Sequence, residues 1–103
     1  MSEKNSILNL CVCMALSDHS LDKNETSEIL NIAKELKENF NVHDAHDEIN
    51  KKFSGDTDLA QDFYLNLIQV DKNKKLAKEF VKRVAIANGE LKDKEVRFLV
   101  RMK

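Results

Sequence analysis

The side chains best suited to metal chemistry lie together in one stretch, His43-Asp44-Ala45-His46-Asp47-Glu48. On a helix His43, His46 and Asp47 stand at i, i+3 and i+4 and share a face, which makes half a site for zinc or nickel. The sequence offers no fourth ligand and no cysteine nearby, and a polar, solvated helix face accounts for the same residues. Cys11 and Cys13 form a C-x-C pair inside an apolar run. Residues two apart on a helix point about 200° apart, so the pair can neither share a metal nor close a disulfide. They read as small buried hydrophobes of a reducing compartment. Nucleophilic catalysis finds no support. There is no Gly-x-Ser-x-Gly elbow and no phosphate-cradling glycine loop, and His19 lies in a turn with no identifiable serine or cysteine to activate. The expectation is a protein that is not an enzyme.

Charge narrows the partners. Seventeen Lys and Arg against eighteen Asp and Glu leave a formal net charge of −1, so no global field favours nucleic acid. Locally, Lys72, Lys74, Lys75, Lys78, Lys82 and Arg83 crowd one stretch, while acids gather at Asp44, Asp47 and Glu48. The basic stretch reads as a solvated helix face or as a surface for an acidic protein or a phospholipid headgroup layer. Few aromatics lie outside core positions, which argues against nucleic acid. The run Ile7–Leu16 has the look of a signal-peptide core. It is interrupted by Asn9, has one lysine before it and lacks a small-x-small cleavage site. It also falls short of the roughly 20 apolar residues that span a bilayer. The expected compartment is cytoplasmic, and the expected partner is a protein.

The elements that position these residues are helices. Residues 1–103 fit one domain, 42% hydrophobic and 34% charged, with two glycines and no proline. A sheet protein of this size draws heavily on Gly and Pro for its turns, so the composition predicts an all-α bundle of five to seven helices. The first helix is predicted over Glu3–Leu16, with Leu8, Cys11, Val12 and Ala15 inward, and Ser17-Asp18-His19-Ser20 ends it. Asp22 caps a second helix, with Glu25 at the capping-box position and a stripe of Ile29, Ile32, Ala33, Leu36 and Phe40. A third helix over Asp44–Phe53 turns Ala45, Ile49 and Phe53 inward and stops at Ser54-Gly55-Asp56. A fourth carries Leu59, Ala60, Phe63, Tyr64, Leu67 and Ile68, an apolar face wide enough for a central position. A fifth runs from near Asp71 to Asn88, with rows Leu76/Phe80/Val84 and Ala77/Val81/Ala85, and Gly89 supplies its left-handed cap. The last runs from Lys92 to the C-terminus with Val96, Leu99 and Val100 inward.

The two ends of the chain also repeat each other. Met14-Ala-Leu-Ser-Asp-His-Ser-Leu-Asp-Lys-Asn-Glu25 aligns with Val84-Ala-Ile-Ala-Asn-Gly-Glu-Leu-Lys-Asp-Lys-Glu95, matching Ala15 to Ala85, Leu21 to Leu91 and Glu25 to Glu95. Each copy is a helix end, a tight polar turn, one leucine and a new helix with Glu near its start. Such corners fix two helix hairpins at similar angles and suggest a pseudo-twofold bundle. An EF-hand is excluded, because Val84 and Ile86, or Met14 and Leu16, would occupy its first two ligand positions.

The corners Ala85-Ile-Ala-Asn-Gly-Glu-Leu-Lys-Asp-Lys-Glu95 and Ala15-Leu-Ser-Asp-His-Ser-Leu-Asp-Lys-Asn-Glu25 resemble the A-x-A-D-G-x-(I/L)-x-x-x-E corner of the TerB-like (tellurite-resistance) family. The resemblance implies a helical bundle with internal pseudo-symmetry, acting as a scaffold or sensor in stress-resistance or phage-defence systems. Some family members are fused to membrane-anchored J-domain co-chaperones, which keeps peripheral membrane association open. It also implies a divalent metal held by the motif acids, here Asp18, Glu25, Asn88 and Glu95. Two departures stand against that: His19 replaces a glycine, and Asn88 replaces an aspartate and removes a charge. Helix capping gives each of the four residues a local role without any metal. The expected function is a small non-catalytic interaction or adaptor module, with a metal-binding sensor as the alternative.

Overall fold

In a computed structural model the chain folds into six helices, described here over residues 3–17, 22–87, 89 and 93–102. They are α1 (Glu3–Leu16), α2 (Lys23–Glu35), α3 (Val42–Phe53), α4 (Thr57–Leu67), α5 (Asp71–Ala85) and α6 (Asp93–Arg101). The described residues contain no strand, and the all-α class read from the composition holds. The turn residues 18–21 and 88 and 90–92 lie outside the description, and so does the pairing of the two corners that the repeat proposes.

The centre of the bundle is α1. From Ser6 to Leu16 every residue is buried, and α2, α3, α4 and α5 all pack against it. The cause is compositional: between Lys4 and Asp18 the chain carries no charge, and a helix apolar all round can satisfy its surface only by being enclosed. This corrects two expectations. The central place belongs to α1 and not to α4, and α1 buries both faces instead of a single stripe. Cys11 and Cys13 therefore point apart and are both fully buried. The expected apolar face of α4 narrows to Ala60, Tyr64 and Ile68 with Gln61, half-buried Phe63 packs against the core beside them, and Leu59 and Leu67 are exposed.

Local chemistry sets the helix ends. Asp22 accepts from the Asn24 and Glu25 amides at 2.7 and 3.3 Å, Asn41 from Asp44 at 3.1 Å, and Asp56 from Leu59 at 3.1 Å. α2 stops before Phe40, because Lys37 takes φ 57° while the Glu38 and Lys37 amides reach back to Ala33 and Lys34 in a Schellman turn. α3 ends on Ser54 and Gly55, both left-handed. α5 starts on Val70, which has no side-chain acceptor for the orphan amides. Glu3, at the far end of the sequence, supplies one: its Oε1 accepts from the Val70 amide at 3.3 Å and from Asn73 Nδ2 at 2.9 Å. Gly89 has φ 79°, the left-handed geometry expected of it, although α5 itself ends at Ala85 and not at Asn88.

The short α6 is rotated from its predicted phase. Phe98 and Met102 enter the core with Leu99 beside them, while Val96 and Val100 are 40% and 54% exposed. Polar ties fix the rotation. Gln61 Nε2 donates to the Phe98 carbonyl at 2.8 Å, and Arg101 spans Asp58 and Asp62 at 2.9 and 2.7 Å. Two aspartates on α4 thus hold the Arg101 side of α6, which turns Val96 and Val100 to solvent.

Candidate functional site

Four places carry enough polar chemistry to be considered. The first is a cleft of about 140 Å³ between the start of α4 and the start of α6. Ser17, Thr57 and Asp58 form one wall, and Lys94, Arg97 and Phe98 the other. Ser17 ends the first copy of the repeat's leading helix and Lys94 opens the second copy's following helix, so flanking residues of both corners share one cleft. Ser17 Oγ donates to the Met14 carbonyl at 2.7 Å and so closes the last turn of α1. Of the four corner residues, Glu25 alone has a described side chain. It is 0% exposed at the third position of α2, where the helix amino terminus favours a carboxylate. Asp18, Asn88 and the side chain of Glu95 lie outside the described residues. Among the described residues no group of three or more His, Cys, Asp or Glu is gathered around a point that could hold a metal.

That finding also covers the second place, His43, His46 and Asp47. His43 and Asp47 face solvent, and half-buried His46 lies against a separate cleft with Ile49, Asn50 and Gly55. The helical face foreseen from the spacing exists, but the structure does not turn it into a ligand set.

The third place is the outer face of α5. Its core side holds Ala77, Phe80, Val81, Val84 and Ala85, which leaves Lys72, Lys75, Lys78 and Lys82 pointing outward with Lys74 on one flank. Only Lys74 makes an ion pair among the described residues, a loose one of 3.9 Å to Asp71. Arg83 belongs to the fold. It reaches Glu28 at 2.6 Å and Glu35 at 2.7 and 3.1 Å, tying α5 to α2, and stands 5.5 Å from the Phe80 ring. Its hydrogen bonds hold the Glu35 carboxyl below its ordinary value. The basic stretch therefore divides into one structural arginine and a row of available lysines, with the exposed Glu79 standing among them one turn from Lys75 and Lys82.

The fourth place was not foreseen. A cleft of about 240 Å³ lies between the first half of α1 and the entrance to α3. Asn5 and Asn9 line it from α1, Asn39, Phe40 and Asn41 from the α2–α3 connection, and Asp44, Ala45 and Glu48 from α3. Asn9 is 2% exposed. The one signal in the sequence was the lone amide interrupting the apolar run of α1; the rest of the lining comes from segments with no common motif.

Burial settles the cysteines. Both thiols are fully buried, and desolvation pushes them far above the ordinary cysteine range. Burial, reinforced by the nearby Glu48 charge and Cys13, also pushes the Tyr64 phenol up to about 12. None of the described helices is long and apolar enough to cross a membrane. No protein-family model matches the chain, and neither the curated proteins nor the solved structures contain a match.

Proposed function

We propose that this chain is a small non-catalytic interaction module that docks an acidic protein partner along the outer face of α5. The observation that carries this reading is the division of the basic stretch: Arg83 is consumed by Glu28 and Glu35, while Lys72, Lys75, Lys78 and Lys82 form no ion pair among the described residues. The four lysines span about 15 Å along the helix axis, the length of a three-turn acidic helix. Ile86, exposed just past the end of this row, adds an apolar contact. The adaptor role implied by the TerB-like resemblance agrees with this reading.

The test is an amide NMR titration with an acidic helical peptide whose carboxylates repeat at i, i+3 and i+7. A scrambled peptide of equal charge is the control. Docking predicts saturable shifts along 72–86 with the helical peptide and much weaker ones with the scrambled peptide. It also predicts loss of both in the Lys75→Glu/Lys78→Glu/Lys82→Glu variant. Equal binding of the two peptides would reduce the face to diffuse attraction and end the proposal.

A divalent-metal sensor is the second reading, carried by the TerB-like resemblance of the two corner motifs alone, since the cleft lined by Ser17 and Lys94 also holds Arg97 and a single carboxylate, Asp58. Asp18, Glu25, Asn88 and Glu95 would be its ligands. Titration with calcium, magnesium, manganese and zinc tests it, with Glu25→Gln and Glu95→Gln as variants. Lost ion binding in a folded variant supports a metal site, whereas a lowered melting temperature with no ion response identifies caps.

A further inference from the structure

The cleft between α1 and α3 takes no part in the proposed docking face, and its chemistry is of another kind. Asn9 forms its floor. Asn9 Nδ2 donates to the Asn5 carbonyl at 2.9 Å and to Asn5 Oδ1 at 2.8 Å. These two acceptors fix the orientation of the amide, since a flipped group would set oxygen against oxygen. The remaining atom, Asn9 Oδ1, is buried and accepts no hydrogen bond. A buried acceptor without a donor is an unfavourable arrangement that a donor entering the cleft would relieve.

The rim says what kind of donor. Asp44 and Glu48 stand at i and i+4 on α3 and border the same cleft, and neither forms an ion pair among the described residues. Lys52 shares the outer groove with them, but its ammonium sits 4.0 Å from the Phe63 ring centroid. Asn41 Oδ1 is committed to capping the Asp44 amide. The partial positive charge at the start of α3 is offset by Asp44 in its first turn. A neutral acceptor at the floor and two carboxylates at the rim suit a group with several donors, a positive charge and no acceptor. Phe40 and Ala45 add an apolar wall for a methylene chain.

We infer that this cleft recognises a primary ammonium group, carried by a short diamine or by a lysine side chain. An ammonium presents N–H donors and no lone pair, which matches in kind the acceptor oxygens of Asn9, Asp44 and Glu48 that border this cleft. A hard metal ion demands more oxygens than this set offers, and an anion would meet the two carboxylates. The volume of about 240 Å³ admits an alkylammonium chain.

The experiment is an amide NMR titration at constant ionic strength with 1,4-diaminobutane and, separately, with Nα-acetyl-lysine N-methylamide. Tetramethylammonium, a cation without N–H donors, and 1-butanol, a chain without charge, are the controls. Saturable shifts at Asn9, Asn39–Asp44 and Glu48 with at least one ammonium probe are expected, and the probe that binds tighter identifies the source. Glu48→Gln, at an exposed position that leaves folding intact, should weaken binding about tenfold, as loss of a charge-assisted hydrogen bond does. Asn9→Leu should abolish binding where its thermal melt shows it folded. The inference is overturned by any one of three results: no saturable shift up to about 20 mM, a range reaching past millimolar affinity; equal shifts with tetramethylammonium; or unchanged affinity in Glu48→Gln. None of these bears on the lysine face of α5.

Discussion

Replacing Gln61 by Glu would turn the buried tie between α4 and α6 into a pH-controlled one. The side chain of Gln61 is 0% exposed; its Nε2 donates to the Phe98 carbonyl at 2.8 Å and its Oε1 accepts nothing. A protonated carboxylic acid is nearly isosteric and can donate to Phe98 through its O–H, so Gln61→Glu should fold with close to wild-type stability at pH 4. An ionised carboxylate there would face the Phe98 oxygen with no donor and no solvent. Desolvation of this degree raises a carboxyl pKa by up to about 3–5 units, and a shift of 3 units corresponds to roughly 4 kcal/mol. The sign follows from the raised folded value. Stability is fully present below the unfolded pKa of about 4.3 and is lost as pH rises through the folded pKa, so the deficit is complete near pH 8. Undocking of α6 limits the loss, because that nine-residue helix can release the charge without unfolding the bundle. Urea melts of wild type and variant at pH 4, 6 and 8 give the difference curve, in which the native carboxylates cancel. Hydrogen exchange at 98–102 separates undocking of α6 from global unfolding. A difference curve flat with pH, or a variant most stable at pH 8, would refute the placement of Gln61 in a dry core.

Three further outcomes follow from the fold. Glu3→Gln should loosen the start of α5, seen as faster hydrogen exchange at 70–74. The Asn73 and Val70 hydrogen bonds hold the Glu3 pKa down, so the wild type's advantage should be present above the ordinary carboxylate range and vanish as pH falls through the lowered folded value. Lys37→Gly should raise the urea midpoint by an amount equivalent to roughly 0.5 kcal/mol, because a lysine with φ 57° gives way to the residue that tolerates it. A lower midpoint would show that Lys37 contributes more than its backbone geometry. Cys11 and Cys13 should resist a thiol reagent at pH 8 in the native protein and react only at the rate of opening, with both reacting at once in urea. Rapid native labelling of either thiol would contradict the enclosure of α1.

Much of this fold was legible where local chemistry decides it. Asp22 caps the helix it was expected to cap, Gly55 and Gly89 adopt positive φ, and the stripes of α2, α3 and α5 face inward along most of their length. The failures lie where tertiary partners decide. Helical spacing picked one face of α1 when the informative feature was the absence of any charged position around it. The phase of α6 was ambiguous because its nine residues hold two apolar rows, Val96/Val100 and Phe98/Met102, and the choice rests on Asp58, Asp62 and Gln61 of α4. Spacing grouped His43, His46 and Asp47 on one helix face but could not show that, among the described residues, no further ligand gathers with them. The amide cleft was beyond reach, since Asn9, Phe40 and Glu48 belong to three separate segments and carry no pattern. Glu3 was invisible as a cap for the same reason, acting across 67 residues on Val70.

The enclosure of α1 has a consequence for biosynthesis. The helix made first is the one that needs all its neighbours, because α5, a principal wall around it, is complete only at Ala85. At about 5–20 residues per second, the stretch Ile7–Leu16 is synthesised roughly 4–14 s before its last enclosing wall is complete. During that interval it is a greasy, uncharged segment in water, the kind of sequence that chaperones hold and that crowded nascent chains share with one another. Yield in a cell should therefore respond to translation speed and chaperone supply more steeply than the equilibrium stability of the finished bundle would suggest.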